Sequence, residues 1–320
     1  MPTRRAALIV VALGLAIFGA PILARADDAP AKLVLILDWF VNPDHAPILV
    51  AKEKGYFSEA GLEVEIIAPA DPNDPPKLVA AGKADLAVSY QPQLHIQVAE
   101  GLPLVRVGTL IATPLNTLLA LADGPIKSIA DLKGRRIGYS VGGFEDALLG
   151  AMLEKHGLAL NDVTLININF SLSPALLSGQ VDAVIGAFRN FELNQLEIEG
   201  RKGRAFYVEE EGVPAYDELI FVAKRDGYDA ALMRRFLDAI ERGVQYLVNH
   251  SDEAYALVAS ANPDLKDELN RRAWRDTLPR FALRPAALDR ARYERFAAFL
   301  ATRGLIKEAL PVEAYAVEVR

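Results

Sequence analysis

A regular succession of apolar runs and polar loops begins near the N-terminus. Residues 32–37 are almost continuously apolar over the length of one strand, which is typical of a strand buried on both faces. Asn42 or Asp44 can cap the helix that follows, and Gly55 can end it. Residues 62–67 then alternate between apolar and charged, as in a second strand. This order predicts a strand–helix–strand unit, which binds ligands beyond the carboxyl ends of its strands.

A similar arrangement occurs in the second half of the chain. Gly82 and Asp85 precede one apolar strand, and Gly179 and Asp182 precede another in the same order. The match is short and is weak evidence by itself, because helices that end at a glycine before a strand are common in α/β proteins. Each half, however, also has an earlier strand that ends in a polar and aromatic loop. The pattern therefore predicts an α/β protein with two similar lobes.

Further elements follow from apolar periodicity and from glycine and proline breaks. Strands are predicted over residues 105–111, 116–122, 137–139, 164–169, 180–186 and 217–224, and late helices over residues 230–249, 252–261, 265–277 and 285–303. The first lobe is expected to comprise residues 32–118 plus 225–320, and the second residues 122–215. Two crossings between the lobes would form a hinge that lets them close on a ligand.

Four predicted strand ends carry polar and aromatic side chains. They are residues 38–42, 89–93, 140–145 and 186–192. Because ligands bind beyond the carboxyl ends of such strands, these loops should meet at one cleft between the lobes.

The N-terminal segment has the features of an export signal. Arg4 and Arg5 precede an apolar stretch that glycines and Pro21 interrupt, and residues 24–26 match an A-x-A cleavage site. The alternative is a membrane anchor, since the stretch is nearly long enough to span a bilayer. The cleavage site and the helix breakers favour removal of residues 1–26 and a periplasmic mature protein.

Composition narrows the possible chemistry. The net charge is −7 without a basic block, which is a poor match to nucleic acid or to an anionic membrane surface. The absence of cysteine excludes disulfides, thiolate catalysis and iron–sulfur clusters. The four histidines lie far apart without the spacing of metal ligands. No cofactor is expected, and the protein is predicted to be a monomer.

Several segments together resemble a known family of periplasmic substrate-binding proteins. They include LDWFVNPDHAPILVAKEKGYF, GKADLAVSYQP, SVGGFEDALL and VDAVIGAFRNFELNQLE. The group that they resemble most delivers pyrimidine precursors of thiamine to ABC importers. The resemblance implies a two-lobe, hinge-closing fold of the type II class. It also implies a formylated aminomethylpyrimidine as ligand, and a permease and an ATPase in the inner membrane as partners.

Related hydroxymethylpyrimidine phosphate synthases share this fold but are enzymes. The resemblance implies that they use a cysteine-rich segment and a reactive histidine after the third strand. This chain has no cysteine, Gln93 stands where we would place that histidine, and His95 lies two residues further on. The sequence therefore favours a binding protein that is not an enzyme, with a synthase-like enzyme as the alternative.

The strand-end residues suit a flat heteroaromatic ligand. Trp39, Tyr90 and Phe188 could stack on its ring, and Glu192 could accept a hydrogen bond from an exocyclic amine. Asn42 or Asn190 could satisfy a ring nitrogen. Each has a plainer alternative, because aromatic residues often pack a core and a glutamate on a helix often faces solvent.

The same loops are acidic, which disfavours anionic ligands. Gly142 and Gly143 before a helix could direct backbone N–H groups at an anion, although two glycines are a weak signal and Glu145 would offset the helix dipole there. A sulfonate or nitrate is therefore the second choice of solute. The candidate ligand-binding residues are Asp38, Trp39, Asn42, His45, Tyr90, Gly142, Gly143, Phe144, Phe188, Asn190, Glu192 and Tyr216.

Overall fold

The computed structural model describes residues 29–319, so the predicted signal segment 1–26 lies outside the described residues. The strands of this part of the chain are β1 (Ala31–Ile36), β2 (Leu62–Ile67), β3 (Leu86–Ser89), β4 (Leu104–Ile111), β5 (Asn116–Leu121), β6 (Arg136–Tyr139), β7 (Thr164–Asn167), β8 (Ala183–Phe188), β9 (Gly203–Tyr207) and β10 (Leu219–Lys224). They form two five-stranded sheets. We call the parts built on these sheets the first lobe and the second lobe.

Helices cover the sheets and follow the last strand. They are α1 (Ala46–Glu53), α2 (Tyr56–Glu59), α3 (Pro75–Ala80), α4 (Gln91–Ala99), α5 (Glu145–Lys155), α6 (Leu172–Leu177), α7 (Glu192–Ile198), α8 (Ala230–Asn249), α9 (Ser251–Ala261), α10 (Glu268–Thr277) and α11 (Arg290–Thr302). None of the helices in the described range is both long and apolar enough to cross a membrane.

The two sheets have the same topology. The strand orders are β2-β1-β3-β10-β4 and β7-β6-β8-β5-β9. In each sheet four strands run in one direction, and the fourth strand in the order is antiparallel to both of its neighbours. That antiparallel strand, β10 or β5, directly follows a crossing from the other lobe. The sequence repeat thus corresponds to a structural repeat.

The repeated aspartates have the same structural role in both lobes. Asp85 Oδ2 accepts a hydrogen bond of 2.7 Å from the backbone N–H of Val34 in β1. Asp182 Oδ2 accepts one of 2.9 Å from the backbone N–H of Arg136 in β6. Each carboxylate therefore joins the start of the third parallel strand of its lobe to the first.

A buried carboxylate joins the two crossings. Glu218 precedes β10, and its Oε2 accepts from the backbone N–H groups of Leu115 (2.6 Å) and Asn116 (2.9 Å) on the other crossing. Tyr216 donates its hydroxyl hydrogen to the same oxygen at 3.1 Å. Hydrogen bonds to a carboxylate are stronger than those between neutral groups, so the two crossings are held together as one unit.

The C-terminal helices pack on the first lobe through α8. Helix α8 lies along α1 so closely that a Cβ on Gly243 would overlap the carbonyl oxygen of Pro47. Helix α10 contacts the 3₁₀ turn Pro43–His45, and it also contacts α7 of the second lobe. The predicted division of the chain at residues 32–118 plus 225–320 and at residues 122–215 stays a proposal.

Several predicted boundaries differ from the structure because capping residues were not recognised. Asp289 accepts from the backbone N–H of Arg292 at 3.1 Å, so α11 begins at residue 290 rather than 285. Asp267 caps α10 in the same way, so that helix begins at residue 268 rather than 265. The half-buried edge strand β9 was not predicted at all.

Candidate functional site

A cavity lies where the four predicted strand ends meet between the lobes. Its empty volume is about 410 Å³, including the space at its mouth that is open to solvent. Its lining residues are Asp38, Trp39, Asn42, Asp44, Tyr90, Glu145, Leu172, Gly186, Phe188, Phe191 and Glu192. We call this space the inner cavity.

The first-lobe wall is built around the Asp38 carboxylate at the end of β1. Its Oδ1 lies 2.9 Å from His45 Nε2, and its Oδ2 accepts from the Tyr90 hydroxyl at 2.9 Å. The backbone N–H of Asn42 points at His45 Nδ1 (3.3 Å), so Nδ1 accepts and Nε2 carries the hydrogen donated to Asp38. Both oxygens of Asp38 are therefore occupied before any ligand arrives.

The local sequence N-P-D-H explains this arrangement. Asn42 caps the turn Pro43–His45 by accepting from the backbone N–H of Asp44 at 2.8 Å, and proline favours the first helical position. The cap turns His45 inward behind Asp38, where it is fully buried and does not line the cavity.

Asp44 connects the first lobe to the second lobe and to α10. Its Oδ1 accepts from Asn190 Nδ2 at 2.6 Å and from the Thr277 hydroxyl at 2.9 Å. Burial raises the pKa of Asp44 to about 6, against the lowering effect of nearby His45 and of these two hydrogen bonds. No hydrogen-bond partner reaches Oδ2 from the described residues, and Asp44 lines the cavity.

Two glutamates form the polar part of the second-lobe wall. Glu145 Oε2 accepts from the backbone N–H of Ser140 at 2.8 Å, and Glu192 Oε2 accepts from that of Phe188 at 2.6 Å. Burial raises the pKa of each glutamate to about 8, although these backbone donors act in the opposite direction. The second oxygen of each carboxyl group accepts no hydrogen bond from residues 29–319.

Gly186 makes room for Glu145. Its φ of +94° lies in the left-handed region, and a Cβ built there would lie 2.6 Å from the carboxyl carbon of Glu145. A side chain at position 186 would therefore displace Glu145 from the cavity wall.

Aromatic rings form the apolar part of the wall. Trp39, Phe188 and Phe191 line the cavity, and Trp39 packs edge-on against Phe170 with 4.6 Å between ring centroids. Tyr90 stacks on Phe144 at 4.7 Å, which places Phe144 behind Tyr90 and outside the cavity.

The Gly142–Gly143 turn already has a protein partner. The backbone N–H of Gly142 donates to Asn73 Oδ1 at 2.9 Å, and Asn73 Nδ2 donates to the carbonyl oxygen of Ser140 at 3.1 Å. Asn73 lies in the loop between β2 and α3, so these hydrogen bonds join the two lobes. Both glycines are exposed and neither lines the cavity.

The twelve predicted ligand-binding residues thus divide into two groups. Those that line the inner cavity are Asp38, Trp39, Asn42, Tyr90, Phe188 and Glu192; those that do not are His45, Gly142, Gly143, Phe144, Asn190 and Tyr216. Sequence reasoning did not select Asp44, Glu145, Leu172, Gly186 or Phe191. The sequence analysis treated Asp44 as a possible helix cap and Glu145 as a charge that offsets a helix dipole, so it did not select either as a ligand contact. Contact of any of these residues with a ligand stays a prediction.

The described residues contain no group of three or more histidine or acidic side chains that could hold a metal ion. Arg189, the basic residue within the strand-end loop of residues 186–192, pairs with Glu209 at 2.6 Å and does not line the cavity.

Comparison with known proteins identifies the family. The model of the "NMT1/THI5 like" family matches residues 42–254. The chain belongs to this family. It is 56% identical over 292 residues to a Haemophilus influenzae protein named for thiamine biosynthesis, covering 91% of this chain and 93% of that protein. It is 35% identical over 233 residues to the formylaminopyrimidine-binding protein of Halalkalibacterium halodurans, covering 72% and 71% of the two chains.

Other family members carry the name of an enzyme. The chain is 29% identical over 266 residues to the 4-amino-5-hydroxymethyl-2-methylpyrimidine phosphate synthase of Legionella pneumophila, with 81% and 83% of the two chains covered.

Solved structures show the fold. The alkanesulfonate-binding protein SsuA of Xanthomonas axonopodis, bound to MOPS, aligns with a TM-score of 0.71 at 18% identity over 91% of this chain and 99% of that one. A Candida albicans protein described as having the generic periplasmic binding protein fold aligns with a TM-score of 0.70 at 18% identity, over 91% and 96%. The predicted two-lobe α/β fold and the predicted family resemblance are both confirmed.

Proposed function

We propose that this NMT1/THI5-like protein binds an aminopyrimidine precursor of thiamine in the inner cavity and delivers it unchanged to an ABC importer. The mature protein would act in the periplasm after removal of residues 1–26. Its partners would be a permease and an ATPase of the inner membrane. The names of its relatives and their fold support this proposal.

One observation carries the choice of ligand. Three carboxyl groups line the cavity with an oxygen that has no protein partner, namely those of Asp44, Glu145 and Glu192. None of the lining residues is lysine, arginine or histidine. Buried carboxyl groups need hydrogen-bond donors or a positive charge, so the site favours a ligand rich in N–H groups or a cation.

An aminopyrimidine meets these requirements. Its exocyclic amine donates two hydrogen bonds, and its ring nitrogens accept from a protonated carboxyl group or become protonated beside an ionised one. Its flat ring would stack on the aromatic side chains that line the cavity, namely Trp39, Tyr90 and Phe188. Glu192, on the second lobe, is our candidate for the contact to the exocyclic amine.

The same site disfavours anions. Sulfonates, nitrate and phosphate esters need cationic side chains or free backbone N–H groups. The cavity wall has no cation, and the N–H of Gly142 is bonded to Asn73. A sulfonate or nitrate therefore remains the second choice of solute.

A synthase-like enzyme is the alternative that the relatives' names keep open. The product in the synthase's name carries a phosphate, and the cavity wall has no lysine, arginine or histidine that could bind it. The wall also has no lysine, cysteine or serine that could act as a nucleophile.

Calorimetry with N-formyl-4-amino-5-aminomethyl-2-methylpyrimidine tests the proposal directly, with an alkanesulfonate as control. We expect saturable binding of the pyrimidine and none of the sulfonate. The protein is then denatured, and the released compound is identified by mass spectrometry. Recovery of unchanged pyrimidine supports a carrier, whereas a converted product would establish the enzymatic alternative, and sulfonate binding alone would overturn the ligand assignment.

A further inference from the structure

A second and larger cavity adjoins the inner cavity. Its empty volume is about 1,380 Å³, including the space at its mouth that is open to solvent. It shares Trp39, Leu172, Phe191 and Glu192 with the inner cavity. It extends from there to residues 261–270, between α9 and α10. We call this space the outer cavity.

One wall of the outer cavity is a cluster of aromatic rings from both lobes. Phe40 lies 5.7 Å from Trp39, 6.4 Å from Phe170 and 6.0 Å from Phe191, measured between ring centroids. The rings are tilted against one another. Phe40 is 41% exposed, so part of its ring is open to solvent.

The remaining wall is acidic. Glu192 has one unpartnered carboxyl oxygen, and Asp264 and Asp267 line the far side. Asp267 is used in part to cap α10, whereas the Asp264 carboxylate has no hydrogen-bond or ion-pair partner in the described part of the chain. The residues that line this cavity include no lysine, arginine or histidine.

Two buried polar groups on this wall also lack partners. Ser173 is 1% exposed and its hydroxyl has no hydrogen bond, and Asn270 is 7% exposed with an unpartnered Oδ1. Both atoms have almost no accessible surface, so they lie behind the cavity surface and do not themselves face a ligand. Aromatic faces and carboxylates together are the features that recognise an organic cation.

We propose that the outer cavity is a second subsite, which takes a positively charged substituent attached to the pyrimidine held in the inner cavity. This inference rests on the proposed function and extends it. The substituent would be a cationic flat ring or an amine, lying against Phe40 and Phe170 near Asp264. Glu192, which lines both cavities, would contact both parts of such a ligand.

Three probes separate the subsite from the inner cavity. The short probe is the formylated aminopyrimidine used above. Thiamine carries the same pyrimidine joined through a methylene to a cationic thiazolium ring, and 3-deazathiamine replaces that ring with a neutral thiophene. Calorimetry on the wild type should show thiamine binding about three- to thirtyfold tighter than 3-deazathiamine, the range expected for a cation on aromatic faces.

Two substitutions of outer-cavity residues test the subsite. Asp264→Asn, far from the inner cavity, should weaken thiamine binding about three- to tenfold, while the short probe binds within twofold of the wild type. Phe170→Ala also removes a ring that packs on Trp39, so it should weaken both probes, and thiamine about three- to tenfold more than the short probe. Asp252→Asn, an exposed aspartate on α9 that lines neither cavity, serves as the matched control and should change nothing.

The outcomes distinguish this inference from the proposed function. If the short probe binds but thiamine does not, or binds no tighter than its neutral analogue, the subsite is wrong and the proposed function stands. If thiamine binds and depends on Phe170 and Asp264 while the short probe fails, the subsite is supported and the proposed ligand must be revised. If neither binds, both are wrong.

Discussion

The two lobes share a topology but present different walls to the inner cavity. In the first lobe, Asp38 has both oxygens engaged by His45 and Tyr90, and the Tyr90 ring is backed by Phe144. In the second lobe, Glu145 and Glu192 are each held by one backbone N–H and keep one oxygen unpartnered. The part of the first wall around Asp38 is therefore formed without a ligand, whereas Asp44, Glu145 and Glu192 each keep an oxygen that a ligand would satisfy. Substitutions around Asp38 should lower stability and affinity together, and substitutions of the two glutamates should act mainly on affinity near neutral pH.

Tyr90→Ala should have the largest effect. It removes a stacking face and leaves one oxygen of Asp38 buried without a donor. We expect affinity for the pyrimidine to fall about tenfold to over a hundredfold and the unfolding free energy to fall by about 3–5 kcal/mol. Calorimetry and thermal unfolding measure the two quantities.

Tyr90→Phe is the matched control, because it keeps the ring and removes the hydroxyl. It should retain the stacking part of the affinity and lose about 1–3 kcal/mol of stability. If Tyr90→Ala weakens binding without lowering stability, the first wall is not preformed as we describe.

Glu192→Gln should weaken aminopyrimidine binding about tenfold without loss of stability near neutral pH. In the amide an NH2 group replaces one carboxyl oxygen, so a donor would face the exocyclic amine, which is itself a donor. A pyrimidine that lacks the amino group should lose less affinity. Calorimetry with both ligands tests this, with Glu199→Gln at the exposed end of α7 as control. If Glu192→Gln binds each of the two ligands as tightly as the wild type does, Glu192 does not contact the ligand.

The ligand-free protein should lose stability as the pH rises from about 5 to about 8. Burial raises the pKa of Glu145 and of Glu192 to about 8, so the folded state favours their protonated forms. Their contribution to stability is therefore complete below the ordinary glutamate pKa and is lost as the pH rises through about 8. Glu145→Gln combined with Glu192→Gln should flatten the curve of melting temperature against pH. An unchanged slope would show that other groups govern it.

Asn73→Ala should have the smallest effect. It removes the hydrogen bonds that join the lobes at Gly142 and Ser140 but leaves both walls intact. We expect a three- to tenfold loss of affinity, from faster ligand release rather than slower binding. Stopped-flow measurement of both rates checks this, with the exposed Asn249→Ala on α8 as control. A change confined to the association rate would exclude a role in holding the lobes closed.

Sequence patterns predicted the repeated α/β lobes and the four strand ends that meet at the cavity. Those features depend on local periodicity and on the rule that ligands bind at strand ends, so they can be read from the chain directly. Asp38, Trp39 and Tyr90 were found for this reason.

The contacts that the sequence did not predict join residues distant along the chain. Asp44 was regarded as a helix cap, yet its carboxylate bonds to Asn190 and Thr277, which lie 146 and 233 positions away. Gly142 and Gly143 suggested an anion site, but Asn73, 69 positions before Gly142, already accepts from the available N–H. Periodicity and composition contain no information on such pairs.

Gly186 has a consequence for the family's evolution. Its missing side chain and the position of the Glu145 carboxylate are two halves of one steric requirement. A lineage that gains a larger residue at position 186 should also have replaced or shortened residue 145, and one that keeps the glutamate should keep the glycine. These two positions, 41 residues apart in the printed sequence, should therefore covary, and relatives that have lost both should transport a different solute.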